Sequence, residues 1–573
     1  MLSGPGGSQP ALCKQGQFLK HGAYFWSKAS KQALSGDFVQ ETQVVVIGGG
    51  ATGIGILRDL SMRGVQAVLL EQGGLAHGTS SRFHGLLHSG ARYAVNDVDA
   101  ARECIEENTI LRRIGWHCVE QTEGLFVLTG EDDPSFVKPW LQSCASAGIA
   151  VEAVSVEEAR RMEPALSPDA KEVFRVPDSG VDGFRLVWHN AMSARRHGGK
   201  ILTYHKVTAI HTSNGRVTGV SVNDTLHNQQ HTIHCDFVVN AAGPWSGEVA
   251  GMSGLAVDVT PDRGTLIVFN HRFTSRIVNR LHKSADGDIF VPHGSITILG
   301  TTSTRAKHPA DTTPTAEEVL RLLRLGEPLF PAIWNYRILR AFAGNRPLYT
   351  PPESGGGRGA SRNFVIVDHE QEGLRGFASI FGGKLTTYRL MAEKMADLVC
   401  LKLGIDATCR TAIEPLAQQP APSLCKKAEA YFPAHRVKLV AERLGDQFPA
   451  VVESLAKGSG MDLLCECELV SRAEVELVAA DKATHYLHDV RFRTRLGMGT
   501  CQGTYCSLRA IGALTDAAIP FAVSPRANLK TFLQERWRGV RPALWGAQVQ
   551  EIEMGRAIFG ATLNLDGADD EIC

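Results

Sequence analysis

The sequence has no apolar run near the ~18 residues that would span a bilayer, which argues against a chain that crosses the membrane itself. It has no excess of either charge: Lys+Arg and Asp+Glu both number 60. That argues against a dedicated nucleic-acid binder, whose surface would be basic, but leaves room for a local basic pocket. No continuous apolar stretch near the N-terminus resembles a secretory signal. Residues 1–42 contain no arginine, which disfavours a mitochondrial transit peptide. Cysteine is sparse, 13 in 573 residues, and most are scattered singly, so there is no disulfide framework of the small secreted type. A reducing, cytoplasmic setting is the expectation. No internal repeat is visible, and the only low-complexity tract is Gly355–Gly357.

The length exceeds what one hydrophobic core supports and predicts roughly two to four domains. Residues 1–42 read as an extension. Residues 43–405 alternate short apolar runs with helical periodicity, an α/β pattern. Residues 406–460 read as a helical linker, 461–511 as a cysteine-bearing unit and 512–573 as a helical tail. Within that tail, Phe532–Pro542 is either a docking surface for a partner or an ordinary packed helix.

The most informative segment starts at Gln43. Gln43–Ile47 is a short apolar run suited to a buried parallel strand, followed at once by Gly48-x-Gly50-x-x-Gly53. A helix is predicted from Ile54 to Arg63, ended by Gly64, and a second strand from Gln66 to Glu71. Gly48 permits the tight turn, Gly50 lets a pyrophosphate approach the backbone, and Gly53 lets helix and strand pack closely. The helix N-terminus attracts the phosphates, and Glu71 can accept a ribose hydroxyl. The residues after Glu71 point to FAD rather than NAD. Gly78–Tyr93, with Thr79, Ser80, Ser81, His88, Arg92 and Tyr93, is small, polar and glycine-punctuated, as a segment beneath an isoalloxazine ring must be. Phe237–Trp245 is a strand ending in the small residues Ala242 and Gly243. Gly376–Arg389 is a strand, a Gly382-Gly383 turn and a helix start at Lys384, Leu385 and Thr386, whose positive end could stabilise charge on a reduced flavin. His84 and His88 are four apart, but without a third ligand they do not make a metal site.

Cys465-Glu-Cys467 and Cys501–Cys506 place two close cysteine pairs in one short region. Four thiolates so spaced predict a metal site, and zinc and iron–sulfur both accept four cysteines. Arg491, Arg493 and Arg495 either offset a cluster's charge or form a solvated strand face.

Together, Gly48–Gly53, His84–Tyr93, Ala101–Ile105, Leu299–Ser303 and Gly382–Arg389 resemble the FAD-dependent glycerol-3-phosphate dehydrogenases, closest to the catalytic A subunits of the anaerobic three-subunit branch. The likeness runs from about residue 43 to 550 and includes the cysteine-bearing tail. It implies a glycine oxidase-like FAD-binding fold interleaved with a β-rich substrate domain. It also implies a C-terminal 2Fe–2S domain of the bacterioferritin-associated ferredoxin type on Cys465, Cys467, Cys501 and Cys506. The implied reaction is oxidation of sn-glycerol 3-phosphate to dihydroxyacetone phosphate, with electrons leaving through that cluster towards quinone. The implied partners are a second soluble subunit, together with a membrane-anchoring iron–sulfur subunit. The chain would then be peripheral on the cytoplasmic membrane.

The family's basic substrate residues map onto Arg92, Arg346, Arg362 and Lys384. Arginine suits a dianionic phosphate because its planar fork binds two oxygens at once. The homodimeric branch has a histidine on the strand that here reads Gly264-Thr-Leu266, so that base is unavailable. His88, a neutral Lys384 or an arginine-held hydroxide are the remaining proton acceptors. Two other readings compete: oxidation of an amino or hydroxy acid, and an electron-transfer subunit with no substrate of its own.

Overall fold

The computed structural model describes residues 39–283, 285–349 and 363–565. The strand Glu41–Ile47 runs into the helix Ala51–Met62, and the strand Ala67–Glu71 returns parallel to it. The helix stops where Gly64 takes a φ of +79°, a left-handed turn that glycine adopts without strain. Val44, Val45, Val46 and Leu69 are all buried, because helices or strands cover both faces of the sheet.

Parallel pairing continues outward. Glu41–Ile47 takes Gln229–Asn240 as its other neighbour, Ala67–Glu71 takes Lys200–Thr203, and Gln229–Asn240 takes Phe377–Gly382. Between these returns the chain builds a second, nine-stranded and mostly antiparallel sheet from residues 124–176 and 259–349. The two sheets are therefore interleaved in sequence, as expected. The long strands Val259–Phe269 and Ile338–Tyr349 pair antiparallel, with Asp262 directly opposite Arg346. The helix Ala51–Met62 packs against Gly183–Arg196 and Tyr388–Leu403, and Gly55 leaves room for the Tyr388 ring and Ala392. Arg389 anchors the last of these helices by a two-pronged contact with buried Glu107.

The stretch expected as a helical linker carries the helices Pro422–Ala428, Ala434–Leu444 and Phe448–Ala456. They share one apolar core with Ala473 and Val478 of the cysteine segment. Asp489 ties that segment to the flavin-type sheet: it accepts the Tyr204 hydroxyl at 3.0 Å and the His485 and Tyr486 amides at 3.0 Å. Arg491 and Arg493 lie on a helix, Leu487–Thr494, and Arg495 caps it; all three are buried. The strand reading of these arginines is thus corrected. A basic last turn suits the negative end of the helix. In the tail, Leu529, Phe532 and Val540 of the helix Pro525–Val540 are buried, so its apolar face is spent inside the chain. No described helix is long and apolar enough to cross a membrane.

Burial holds His77, His189, His293 and His485 neutral, at about 4, and His84 at about 3. An unfolded histidine titrates near ~6.5. As pH falls through that value the unfolded chain takes up protons that the folded chain refuses, so stability is lost between about 6.5 and 4. Asp178, pushed up to about 6 by burial, runs the other way and offsets part of this. Each histidine contributes on the order of 1 kcal/mol per pH unit in that window. The melting temperature is expected to fall steeply from pH 7 to pH 5; a flat profile would contradict the buried, neutral assignment.

Candidate active site

The strand–helix turn makes a backbone cradle. A Cβ on Gly48, whose φ is +114°, would lie 2.5 Å from the Ala241 carbonyl oxygen, and one on Gly53 would lie 2.0 Å from that of Gly48. Neither position has room for a side chain, and the closeness keeps the first helical amides on the pocket. Ser80 accepts the Ala51 amide at 2.9 Å. At the end of the second strand, Glu71 accepts the Gly49 and Gly73 amides at 2.6 and 2.8 Å. Burial raises the Glu71 pKa, and these amide hydrogen bonds work against the rise.

A cavity of about 620 Å³ runs from this cradle to the second sheet. It is lined by Gly48, Gly50 and Glu71 at one end and by His84, Tyr93, Arg346 and Lys384 at the other. Thr79, Ser80, His88, Ala242, Gly243, Gly382, Gly383, Leu385 and Thr386 also line it. Gly53 sits beneath the cradle rather than in it. Ser81, expected beside the flavin, lines a neighbouring cavity instead, its hydroxyl turned to the Gly78 carbonyl at 3.2 Å. Arg362 lies outside the described residues.

A smaller cavity of about 100 Å³ shares Arg82, His84, Tyr93 and Arg346 with the first and adds Arg92. Both candidate arginines are held by carboxylates that the linear motifs do not reveal. Arg92 meets Asp288 at 2.5 Å and the Ala285 carbonyl at 2.8 Å. Arg346 meets Asp262 at 2.5 Å, the Thr302 carbonyl at 3.1 Å and the Thr301 hydroxyl. The Asp262–Arg346 pair follows from strand register and could not be read from sequence spacing. Lys384 Nζ stands 4.9 Å from the Tyr93 ring centroid. His88 Nε2 is 3.5 Å from the Tyr93 hydroxyl, and its amide donates to Thr386 at 3.1 Å.

By sequence, His84 is no more than half of a rejected metal pair. In the structure it lines both cavities, and its Nδ1 accepts the Leu86 amide at 3.1 Å. Burial, with Arg346 and Arg92 nearby, keeps it neutral down to about 3. A neutral ring accepting at Nδ1 carries its proton on Nε2, so His84 is a donor rather than a base.

The four cysteines of the C-terminal segment are linked in series: Cys465 and Cys501 each contact Cys506, and Cys467 contacts Cys501. The Gly497 and Glu468 amides point at Cys465, and those of Gly503 and Tyr505 at Cys501. The contact with Cys506 brings Cys465 down to about 7 and Cys501 to about 5, while Cys506 is pushed up. A Cβ on Gly499 would fall 2.4 Å from Cys467 Cβ. An all-sulfur donor set wrapped in backbone amides has the chemistry to hold a metal centre.

A glycine-rich dinucleotide cradle opening into a cavity walled by a second sheet defines a flavin-dependent oxidoreductase. The FAD dependent oxidoreductase family model matches residues 43–389. The chain is 44% identical over 533 residues to one of the anaerobic glycerol-3-phosphate dehydrogenase A subunits, that of Escherichia coli K12, covering 92% of this chain and 98% of that one. Its fold is similar to the glycerol-3-phosphate dehydrogenase of Bacillus halodurans in complex with FAD, with a TM-score of 0.67, 22% identity and coverage of 91% and 100%. It is also similar to glycine oxidase from Geobacillus kaustophilus, with a TM-score of 0.52, 19% identity and coverage of 67% and 100%. The chain belongs to the FAD-dependent oxidoreductase family and, within it, to the family of anaerobic glycerol-3-phosphate dehydrogenase A subunits.

The Gly53→Ala variant is expected to purify with little or no FAD, because its Cβ would force the helix off the Gly48 carbonyl. FAD content equal to wild type, read from visible absorbance per chain, would refute this role.

Proposed function

We propose that the chain oxidises sn-glycerol 3-phosphate at C2 to dihydroxyacetone phosphate. The observation that carries this reading is the convergence of Arg82, Arg92, Arg346 and Lys384 on the small cavity and the adjoining end of the flavin pocket. Four basic side chains around one space suit a phosphate dianion, whose oxygens accept several charge-assisted hydrogen bonds. Asp288 and Asp262 hold the two guanidinium planes of Arg92 and Arg346 in place before the phosphate arrives, which lowers the ordering cost of binding. FAD, when bound, takes up the hydride that leaves C2. His88 receives the C2 hydroxyl proton, with the Tyr93 hydroxyl beside its Nε2. His84 donates its Nε2 proton to a substrate oxygen, and Lys384 places positive charge at the same end of the cavity.

Cys465, Cys467, Cys501 and Cys506 would hold a 2Fe–2S cluster as the electron exit. Their serial contacts suit two iron atoms sharing four thiolates. A flavin that gains two electrons can pass them on one at a time to a one-electron acceptor of this kind. Electrons then pass through two partners, a second soluble subunit followed by a membrane-anchoring iron–sulfur subunit, to quinone, with the chain peripheral on the cytoplasmic membrane. The similarity to proteins named as A subunits supports a multi-subunit enzyme.

Adding glycerol 3-phosphate to the purified protein should bleach its flavin absorbance. Arg346→Gln is expected to lower kcat/KM at least ~100-fold, the scale of one or two charge-assisted hydrogen bonds. His88→Gln should slow flavin reduction without weakening substrate binding. Failure of the substrate to reduce the flavin would end the assignment. Cys501→Ser should abolish the cluster's EPR signal in the reduced protein and leave flavin bleaching intact; an unchanged signal would remove the cluster from these cysteines.

A further inference from the structure

His77 lies on the turn that follows the strand Ala67–Glu71, and its ring faces the helix Leu487–Thr494 of the cysteine-bearing segment. The ring centroid stands 4.7 Å from that of His488 and 5.5 Å from that of Phe492. Among the described residues neither nitrogen of the His77 ring has a hydrogen-bond partner. The turn closes tightly on this group. A Cβ on Gly74 would fall 2.1 Å from Asp489 Oδ1, and one on Gly73 would fall 2.8 Å from His77 Nδ1. Glycine at both places lets the backbone bring His77 up to the helix.

Asp489 is buried, 2% exposed. Its Oδ2 accepts the His485 and Tyr486 amides, whereas Oδ1 has only the Tyr204 hydroxyl at 3.2 Å, shared with Oδ2 at 3.0 Å. Among the described residues no lysine or arginine forms an ion pair with this carboxylate. Arg493 acts on it from beyond pairing distance and is itself turned to Asp481 at 3.8 Å. The group within pairing distance is His488, whose Nε2 is 3.8 Å from Oδ1 and 2.9 Å from the Tyr204 hydroxyl oxygen. Burial lowers His77 and His488, so both rings are neutral at pH 7 and each keeps a nitrogen lone pair. A buried carboxylate faced by two neutral imidazoles lacks a full counter-charge, and buried charges are ordinarily paired or coordinate metals. One nitrogen of each histidine and one Asp489 oxygen lie within 4.8 Å of one another. Two imidazoles and a carboxylate are a zinc donor set. The two amides on Oδ2 and the Tyr204 hydroxyl supply the outer contacts that orient a ligating carboxylate.

We propose that His77, His488 and Asp489 bind one zinc ion, which staples the turn at the flavin pocket to the helix that leads into the cysteine loop. His77 lines the flavin pocket, so the ion ties the wall of that pocket to the C-terminal segment. The nitrogen and oxygen donors separate this site from the all-sulfur set of the four cysteines, which differs in softness. None of its ligands is placed at the substrate, so it stands or falls apart from the proposed reaction.

The test uses full-length, FAD-loaded protein, equilibrated with zinc and freed of excess by gel filtration. Retained zinc is counted by plasma mass spectrometry, and X-ray absorption at the zinc edge reads its ligands. The expected result is about one zinc per chain with nitrogen or oxygen neighbours at about 2.0–2.1 Å and no sulfur at about 2.3 Å. Cys501→Ser should keep this zinc. His488→Gln should weaken zinc binding at least ~10-fold, and His77→Gln, from the other side of the contact, should do the same. Added zinc should raise the melting temperature of the wild type and leave that of His488→Gln unchanged. Equal melting temperatures of the two proteins without zinc show that the variant folds. Three results would overturn the proposal: no zinc retained, a ligand shell that contains sulfur, or either histidine variant holding zinc as tightly as wild type.

Discussion

A guanidinium inside a protein must have its donors met or destabilise the fold, and this molecule is organised around how it meets them. Arg58 is bound by the Ser193 hydroxyl and the Thr411 and Glu414 carbonyls, Arg63 by Asp59, and Arg389 by Glu107. The Arg58 and Arg389 contacts cross long sequence separations and join the helices that sit on the parallel sheet. Breaking one partner of a buried ion pair strands the other, which is worth several kcal/mol, so each acts as a strong constraint on where its helix can lie. Arg389 bears most directly on the flavin pocket. It fixes the helix that follows Gly382, Gly383 and Lys384, and so fixes the turn that enters the flavin pocket.

The same device appears at the small cavity in a different form. Arg92 and Arg346 are held by Asp288 and Asp262, yet both also line a cavity. Their carboxylates orient the guanidinium planes at its wall. The loop from His77 to Tyr93 serves several neighbours at once: Ser80 against the first helical amide, His84 in both cavities, and Arg82 and Phe83 on a third. One segment therefore couples the flavin pocket, the small cavity and the C-terminal segment, and displacing it would disturb all three.

The C-terminal segment is more than an appendage. Its helices share a core with the 422–456 helices, its Asp489 caps a helix while holding Tyr204 of the flavin-type sheet, and Gly539 packs against Arg340 and the Ala341 carbonyl. The cysteine loop is thus packed onto the body that carries the flavin pocket. Between the two, this packing encloses a cavity in which Glu535 faces Arg340 and Arg491.

The local motifs were legible in the chain because their physics is local. A turn that admits no Cβ must be Gly48 and Gly53, a doubly covered strand must be apolar throughout, and a cysteine loop wrapped in amides must be glycine-rich. These features determined the α/β class, the dinucleotide cradle, the segments lining the flavin pocket and the thiol set. What stayed hidden depends on contacts between distant residues. Asp262 faces Arg346 only through the register of two strands, Asp288 reaches Arg92 across a fold-back of the chain, and the role of His84 follows from its burial beside two guanidiniums. Likewise Arg491 reads in sequence either as an offset to a cluster's charge or as part of a solvated strand face, and only the packing against the Pro525–Val540 helix shows it buried on a helix. Sequence spacing carries chirality and hydrogen-bond geometry over a few residues. Charge balance in a cavity is a sum over everything that surrounds it, and the tertiary structure alone decides that sum.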